Sequence, residues 1–353
     1  MLPIVVTTGQ RYCDLDALAC VIAYCEIDPV NYLPVIPGPL NHSVTQTIKK
    51  WGFKYDTKPP NDVAGYIVMD ISEDQFIAEF VDIKKVVEIY DHHYGFESIW
   101  RNRPWVKTQI EEIGACATLV WEQIKKVKTN SFSSFNLIGN PSNSKFQAPN
   151  PKQIQNSNIQ AQNVNLPINQ STCLPAGMAN HLISRVSANL LYTAIVTHTL
   201  NFKISITKDR DRQAAEELKP LCNLPDSWIP QYYREIEQDI YRDPVFAIAN
   251  DTKIAYLGGQ SMAVCSTEMW LPEMFIKENI NIIRSALRQF ETELWLYSSP
   301  CVSKGFNYLL TDSQTVKEWL KMYIGATFDK NSDLGTTSKL WLRKEILREL
   351  ERK

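Results

Sequence analysis

The sequence lacks both a long apolar run that could cross a membrane and a basic leader at its N-terminus. Its first residues, MLPIVVTTGQRYCDLD, hold a short apolar run that passes directly into polar residues, which is typical of a buried strand rather than a signal peptide. The eight cysteines include no CxxC pair and show no zinc-type spacing. We therefore expect a cytoplasmic protein that has no membrane span.

A strong excess of either charge is also missing. The formal net charge is -2 at pH 7, so a basic surface that binds nucleic acid stably is not expected. With 353 residues, of which 44% are hydrophobic and 22% charged, the composition is that of a globular protein. The length exceeds what one hydrophobic core usually supports and therefore predicts two domains.

The first part of the sequence alternates strand-like and helix-like segments. Short apolar runs at 2–8, 32–36, 66–71 and 85–90 predict strands, and the apolar spacing at 15–24, 42–51, 114–127 and 188–196 predicts helices. Such alternation is typical of a parallel sheet in an α/β fold. A second and smaller α/β unit is predicted from strands at 253–257 and 293–297 and a helix at 274–290.

The composition indicates how these units are divided. Residues 130–170 are rich in Asn, Gln, Ser and Pro, contain no acidic residue, and cannot bury enough apolar surface to fold alone. We expect a first domain at 1–219 with a disordered insertion at about 129–173. A proline-containing linker at 220–235 and a second domain at 236–353 follow.

Acidic residues and histidines lie where predicted strands end. Asp14 and Asp16 follow the first strand, Asp70 closes another, and Asp91, His92 and His93 follow a third. Because ligands of open α/β sheets bind at the carboxyl ends of the strands, these side chains are expected to meet at one edge. Carboxylates converge there only if cations lie between them, which predicts a site for divalent metal ions. Each motif alone has a plainer interpretation, since DxD is common in surface turns and Asp70 could cap a helix.

An ordered set of motifs gives the sequence a family resemblance. The motifs are GQRYCDLD at 9–16, VMDIS at 68–72, YDHHYG at 90–95, GACAT at 114–118 and AIVTHTLNFK at 194–203. Together they resemble the DHH phosphoesterase superfamily, in particular the branch of the manganese-dependent (family II) inorganic pyrophosphatases and prune-like exopolyphosphatases. IGATFD at 324–329, followed by Arg343 and Lys344, is similar to the C-terminal DHH-associated domain of that branch.

The resemblance implies a role for each matching residue. Asp14 and Asp70 would hold one metal ion, and Asp16, Asp70 and His92 would hold the second, so that Asp70 bridges the two. The remaining implied roles are orientation of the metal-binding imidazoles by Asp91, contact with the substrate phosphate by His93, and phosphoryl binding by Arg343 and Lys344.

Two positions depart from the family pattern. Gln10 stands where the pyrophosphatase motif begins with His, and an amide is the poorer metal ligand; the CDLD run that ends at Asp16 favours the exopolyphosphatase side. His198 stands where the family has an aspartate ligand, so we expect His198 to bind metal with one negative charge fewer.

The expected function is hydrolysis of phosphoanhydride bonds in pyrophosphate or polyphosphate by a monomer or homodimer with two divalent ions. Mn²⁺ is the expected ion, and Mg²⁺ and Co²⁺ are alternatives. Two other functions stay open. One is a DHH phosphodiesterase that acts on short oligonucleotides or cyclic dinucleotides, weakly suggested by Leu257-Gly258-Gly259-Gln260. The other is a catalytically impaired regulatory homologue, suggested by Gln10 and His198.

Overall fold

The computed structural model describes residues 2–93, 95–136 and 183–352 of the chain. Its N-terminal part is built on a parallel sheet, named the first sheet here. The strands are β1 (Ile4–Thr7), β2 (Tyr32–Pro34), β3 (Gly65–Met69), β4 (Val86–Asp91) and β5 (Lys107–Ile110), in the spatial order β2-β1-β3-β4-β5. The predicted α/β fold with a parallel sheet is confirmed.

Both faces of the first sheet are buried, which explains why its strands are apolar without alternation. Neighbouring residues point to opposite faces: Val6 packs against one core and Val5 against another that contains Trp100. The surrounding helices are α1 (Leu15–Cys25), α2 (Gln46–Lys49), α3 (Glu97–Arg101), α4 (Cys116–Asn136), α5 (Arg185–His198) and α6 (Asp209–Leu218). Short 3-10 turns occur at Asp74–Phe76, Ile83–Lys85 and Lys219–Leu221.

The C-terminal part contains a mixed sheet, named the second sheet. Its strands are β6 (Thr252–Leu257), β7 (Gln260–Ser266), β8 (Leu294–Cys301), β9 (Phe306–Leu310), β10 (Thr327–Phe328) and β11 (Leu334–Thr336). Their order is β10-β11-β9-β8-β7-β6, with β7 and β8 parallel and the other neighbours antiparallel. The helices are α7 (Trp228–Arg242), α8 (Pro244–Asn250), α9 (Glu273–Arg288), α10 (Gln314–Ile324) and α11 (Arg343–Glu351).

The two parts are in direct contact. One apolar core runs from Met69 of the first sheet to Tyr297 of the second. The ammonium group of Lys203 donates hydrogen bonds to the carbonyl oxygens of Val302 at 2.5 Å and Ser303 at 2.7 Å. Lys203 therefore joins the segment after α5 to the second sheet.

Several predicted elements differ from the observed ones. Residues 228–235, which were assigned to a linker, begin α7, whose buried apolar face includes Trp228 and Tyr232. Pro230 does not prevent this because the first turn of a helix tolerates proline. The helix predicted at 42–51 is reduced to α2, since Ser43 is drawn into a turn in which its backbone N–H donates to the Asn41 side chain at 2.9 Å. The division into two domains remains a prediction.

Only the start of the predicted disordered insertion lies within the described residues. Its start overlaps α4, which continues to Asn136 instead of ending near residue 127. The rest of the insertion lies outside the described residues. In the part of the chain that the structure describes, none of the helices combines the length and the hydrophobicity that crossing a bilayer requires.

Candidate metal and phosphate site

The two carboxylates of the DLD motif lie at the start of α1. Asp14 caps this helix, since its side chain accepts a hydrogen bond from the Ala17 N–H at 3.0 Å. Asp16 lies in the first turn and is fully buried. Its carboxylate accepts hydrogen bonds from the backbone N–H groups of Cys116 at 2.7 Å and Ala117 at 2.9 Å. The N-terminus of α4 thus stabilises the negative charge of Asp16 and fixes its direction.

Asp70 directly follows β3 in a left-handed backbone conformation, with φ of 59°. Aspartate tolerates this region better than most side chains, and such conformations are often found at functional sites. The side chain is buried, and its Oδ1 atom has no hydrogen-bond partner among the described residues. Burial, followed by the charges of Asp16 and Asp14, raises the pKa of Asp70 well above its ordinary value.

His92 is oriented toward these carboxylates by a backbone contact. Its Nδ1 atom lies 3.2 Å from the carbonyl oxygen of Ile113, which can only accept, so Nδ1 carries the proton. The lone pair of Nε2 then points to Asp70, whose Oδ1 lies at 3.4 Å, and to Asp16, whose Oδ2 lies at 3.8 Å. Burial and the charge of His93 lower the pKa of His92 to about 3. The neutral imidazole is the form that binds metals.

His198 joins the cluster from the C-terminal end of α5. Its Nε2 atom lies 3.5 Å from Oδ2 of Asp14, and its ring centroid lies 6.2 Å from that of His92. Burial opposes protonation, but the negative charges of Asp16 and Asp14 raise the pKa of His198 to about 9. In the metal-free protein this imidazolium therefore supplies the positive charge that the carboxylates require.

Asp91 and His93 form a hydrogen-bonded pair beside the cluster. The Nδ1 atom of His93 lies 2.8 Å from Oδ1 of Asp91, which also accepts a hydrogen bond from the His93 backbone at 3.0 Å. Burial alone would lower the pKa of His93, but the bond to Asp91 raises it above its ordinary value. Asp91 is fully buried, whereas about half of the His93 side chain, 51%, is exposed. His93 can therefore present Nε2–H to a ligand while Asp91 holds the other nitrogen.

The chemistry of this cluster fits divalent cations. Asp70, His92 and His93 can place one ligand atom each within 4.8 Å of one another. Oδ1 of Asp70 has no hydrogen-bond partner among the described residues, and burial together with the charges of Asp16 and Asp14 raises the pKa of this carboxyl group, so a cation would stabilise its charged form. Oxygen and imidazole ligands together suit Mn²⁺ and related ions.

Gln10 does not join the cluster. Its side-chain oxygen accepts a hydrogen bond of 2.5 Å from the backbone N–H of Glu79, and the backbone N–H of Gln10 donates to the carbonyl oxygen of Phe76 at 3.0 Å. The amide oxygen that the sequence offered as a weak metal ligand is thus used to hold the loop after β3.

The basic pair lies at the start of α11. The guanidinium of Arg343 donates to the carbonyl oxygen of Asp251 and lies 3.3 Å from its carboxylate, so Arg343 is held by its own part of the chain. Lys344 is exposed, and its charge opposes the increase in the pKa of His93. Lys344 therefore lies within electrostatic reach of His93.

Two further acids were not recognised in the sequence. Asp211 is fully buried and accepts hydrogen bonds from the Gly114 N–H at 3.0 Å and the Thr118 hydroxyl at 2.6 Å, so it fixes the start of α4. Glu268 is exposed, but desolvation of its carboxyl group by the surrounding protein, followed by the charge of Asp251, raises its pKa to about 7. Asp211 belongs to no local motif, because its role depends on contacts with Gly114 and Thr118, which are distant in the sequence.

Comparison with known proteins supports the same relationship. No family model matches the chain. A probable manganese-dependent inorganic pyrophosphatase from Lactobacillus delbrueckii subsp. bulgaricus is 24% identical over 224 residues, which cover 61% of this chain and 54% of that relative. The matched region thus spans about half of the relative's length.

Solved structures show the fold. A protein from Methanococcus jannaschii assigned to the family II inorganic pyrophosphatases superposes with a TM-score of 0.55 at 18% identity, over 99% of this chain and 98% of that one. The resemblance to the manganese-dependent pyrophosphatases is confirmed. An exopolyphosphatase-related protein from Bacteroides fragilis has a TM-score of 0.43 at 11% identity, with 99% and 91% of the chains covered. This second likeness is too distant to support a conclusion.

The expected role of His198 as a metal ligand predicts that metal binding depends on pH, because His198 must lose a proton before Nε2 can bind a cation. With a pKa of about 9 in the metal-free protein, protons compete with the metal at neutral pH. We expect the apparent affinity for Mn²⁺ to increase between pH 7 and pH 9 by at most about tenfold per pH unit for this proton, and then to level off. Calorimetric titration at a series of pH values measures this, and His198→Ala should have a shallower dependence. An affinity of the wild type that is constant from pH 7 to pH 9 would contradict the assignment.

Proposed function

We propose that the chain is a metal-dependent hydrolase of phosphoanhydride bonds in pyrophosphate or polyphosphate. The observation that carries this proposal is the approach of His92 to both Asp16 and Asp70. Beside this group His198 contacts Asp14, and the basic residue Lys344 lies within electrostatic reach of His93. A polyanion that is bound through divalent ions requires carboxylates that hold the ions and basic side chains that contact its own negative charge. The pyrophosphatase relatives support the same substrate class.

The side chains have separable tasks in this reaction. Asp70, Asp16, Asp14, His92 and His198 would hold two divalent ions, for which Mn²⁺ is our proposal. These ions would activate a water molecule and neutralise phosphoryl charge. Asp16 keeps its position because two amides of α4 fix it, and His92 keeps its tautomer because Ile113 accepts from Nδ1.

His93 and the basic pair would act on the phosphoryl oxygens. The bond to Asp91 raises the pKa of His93 and leaves Nε2 available to donate to an oxygen that gains charge during the reaction. Arg343 offers a planar fork of donors and Lys344 a mobile charge. The free thiols of the described cysteines are compatible with a reducing cytoplasm, which stays part of the proposal.

Gln10 favours a second candidate, a homologue with reduced catalysis. Because the amide oxygen of Gln10 accepts a hydrogen bond from the Glu79 N–H, the cluster would have one ligand fewer than the family motif supplies. The phosphodiesterase alternative gains no such support. Gly258 and Gly259 both have positive φ, 58° and 82°, in the turn between β6 and β7, so this glycine pair has a structural explanation.

The direct test is phosphate release with Mn²⁺, Mg²⁺ or Co²⁺ from pyrophosphate, tripolyphosphate, long polyphosphate and a dinucleotide. We expect release from the inorganic substrates with Mn²⁺, because the site combines carboxylates with imidazoles. The ranking of the three substrates then separates a pyrophosphatase from an exopolyphosphatase. Cleavage of the dinucleotide alone would transfer the chain to the phosphodiesterases, and no release with any metal would favour the impaired homologue.

Asp70→Asn tests the side chain that the two metal ions would share. The amide preserves the shape and tolerates the left-handed backbone, but it removes the negative charge, so activity should fall by about 10²–10³-fold or more. Removal of a crowded buried charge should leave the metal-free protein at least as stable as the wild type, measured by thermal unfolding. Asp74→Asn is the matched control, since Asp74 lies on the same loop, is exposed and pairs with Arg103 at 2.5 Å. Turnover of Asp70→Asn equal to that of the control would exclude Asp70 as a metal ligand.

A further inference from the structure

A fully buried amide connects the second sheet to the segment that carries the basic pair. Asn307 lies in β9 and has no exposed surface. Its Nδ2 group donates to the carbonyl oxygen of Trp341 at 2.8 Å, and its Oδ1 atom accepts from the backbone N–H of the same residue at 2.8 Å. One side chain thus satisfies both main-chain groups of Trp341, in the way that a neighbouring strand would.

The backbone of Asn307 is paired as well. Its N–H donates to the hydroxyl of Thr337 at 2.8 Å, and its carbonyl accepts from the Thr337 N–H at 3.0 Å. The second hydrogen of the amide is donated to the hydroxyl of Ser298 at 2.8 Å. Because every polar group of Asn307 is satisfied without solvent, the position of Trp341 relative to the sheet is tightly determined.

Trp341 directly precedes the start of α11. The next residue, Leu342, donates its N–H to the carboxylate of Glu345 at 2.7 Å, and Glu345 also accepts from the Ser205 hydroxyl in the segment after His198. Arg343 and Lys344 lie between these two anchors. A shift at Trp341 would therefore move the basic pair relative to the cluster.

We propose that Asn307 is a positioning residue that sets where Arg343 and Lys344 meet the substrate, an inference that rests on the proposed function. Asn307 acts through the backbone of Trp341 and does not itself contact phosphate. An apolar residue of the same size could fill the space but would leave the N–H and carbonyl of Trp341 without partners. Aspartate could accept from the N–H, but its charge would face the carbonyl oxygen of Trp341.

The experiment compares the wild type with Asn307→Asp in the full-length, Mn²⁺-loaded protein. We expect the KM for pyrophosphate or tripolyphosphate, whichever the wild type cleaves, to rise by at least about tenfold, as small misplacements of binding groups do. The dissociation constant of the uncleaved analogue imidodiphosphate should rise to a similar extent. The affinity for Mn²⁺ should stay within about twofold, because the cluster lies on other segments.

Two control variants separate positioning from general destabilisation. Asn189 is a second buried asparagine, which lies in α5; its amide donates to the Asn223 side chain at 2.7 Å and accepts from the Asn223 N–H at 3.2 Å. Asn189→Asp should lower the melting temperature comparably and leave KM unchanged. Ser298→Ala removes a partner of Asn307 without touching Trp341, and it should also leave KM unchanged. If Asn307→Asp does not fold, the neutral Asn307→Ser replaces it, with the same expected rise in KM.

The outcomes distinguish this inference from the proposed function. If the wild type is active and the KM of Asn307→Asp or Asn307→Ser lies within about twofold of the wild-type value, the positioning role is overturned. A rise in KM that Asn189→Asp shares would overturn it too, since destabilisation would then explain the effect. A wild type that neither releases phosphate nor binds imidodiphosphate refutes the proposed function, and with it this inference.

Discussion

The crowding of carboxylates at the carboxyl edge of the first sheet is the constraint on which the site depends. Asp16 and Asp70 are buried, and Asp14 lies beside them at the start of α1. Burial, followed by the charges of Asp16 and Asp14, raises the pKa of Asp70, and the same two charges raise the pKa of His198 against the effect of burial. The surrounding backbone is arranged to tolerate this repulsion: α4 directs two N–H groups at Asp16, and the carbonyl of Ile113 fixes the tautomer of His92. The metal-free cluster therefore already has the negative charge and the side-chain orientations that favour cation binding.

The C-terminal part of the chain supplies the complementary charge. Arg343 and Lys344 begin α11, which is tied to the second sheet through Asn307 and to the segment after His198 through Glu345. Lys203 adds a second connection to the same segment. The carboxylate cluster and the basic pair are therefore connected by three polar contacts: the fully buried Asn307, the partly buried Lys203, and the exposed bond between Ser205 and Glu345.

Much of this arrangement could be predicted because it depends on strand ends. In a parallel sheet all carboxyl ends share one edge, so Asp16, Asp70 and His92 could be expected to meet from their positions after apolar runs. Strand β5 was missed because its four residues, KTQI, include only one apolar side chain. The start of α7 was missed because Pro230 was read as a break, although proline fits the first turn of a helix. Asp211 and Asn307 could not be predicted, since each acts on residues that only tertiary folding brings near.

The number of Mn²⁺ ions bound per chain tests the central claim most directly. If the cluster is a two-metal site bridged by Asp70, calorimetric titration of the metal-free wild type at pH 8 should give about two ions per chain. These ions should also raise the melting temperature, because they bind the folded cluster and relieve its repulsion. A wild type that binds one ion, or none, with an unchanged melting temperature would contradict the account.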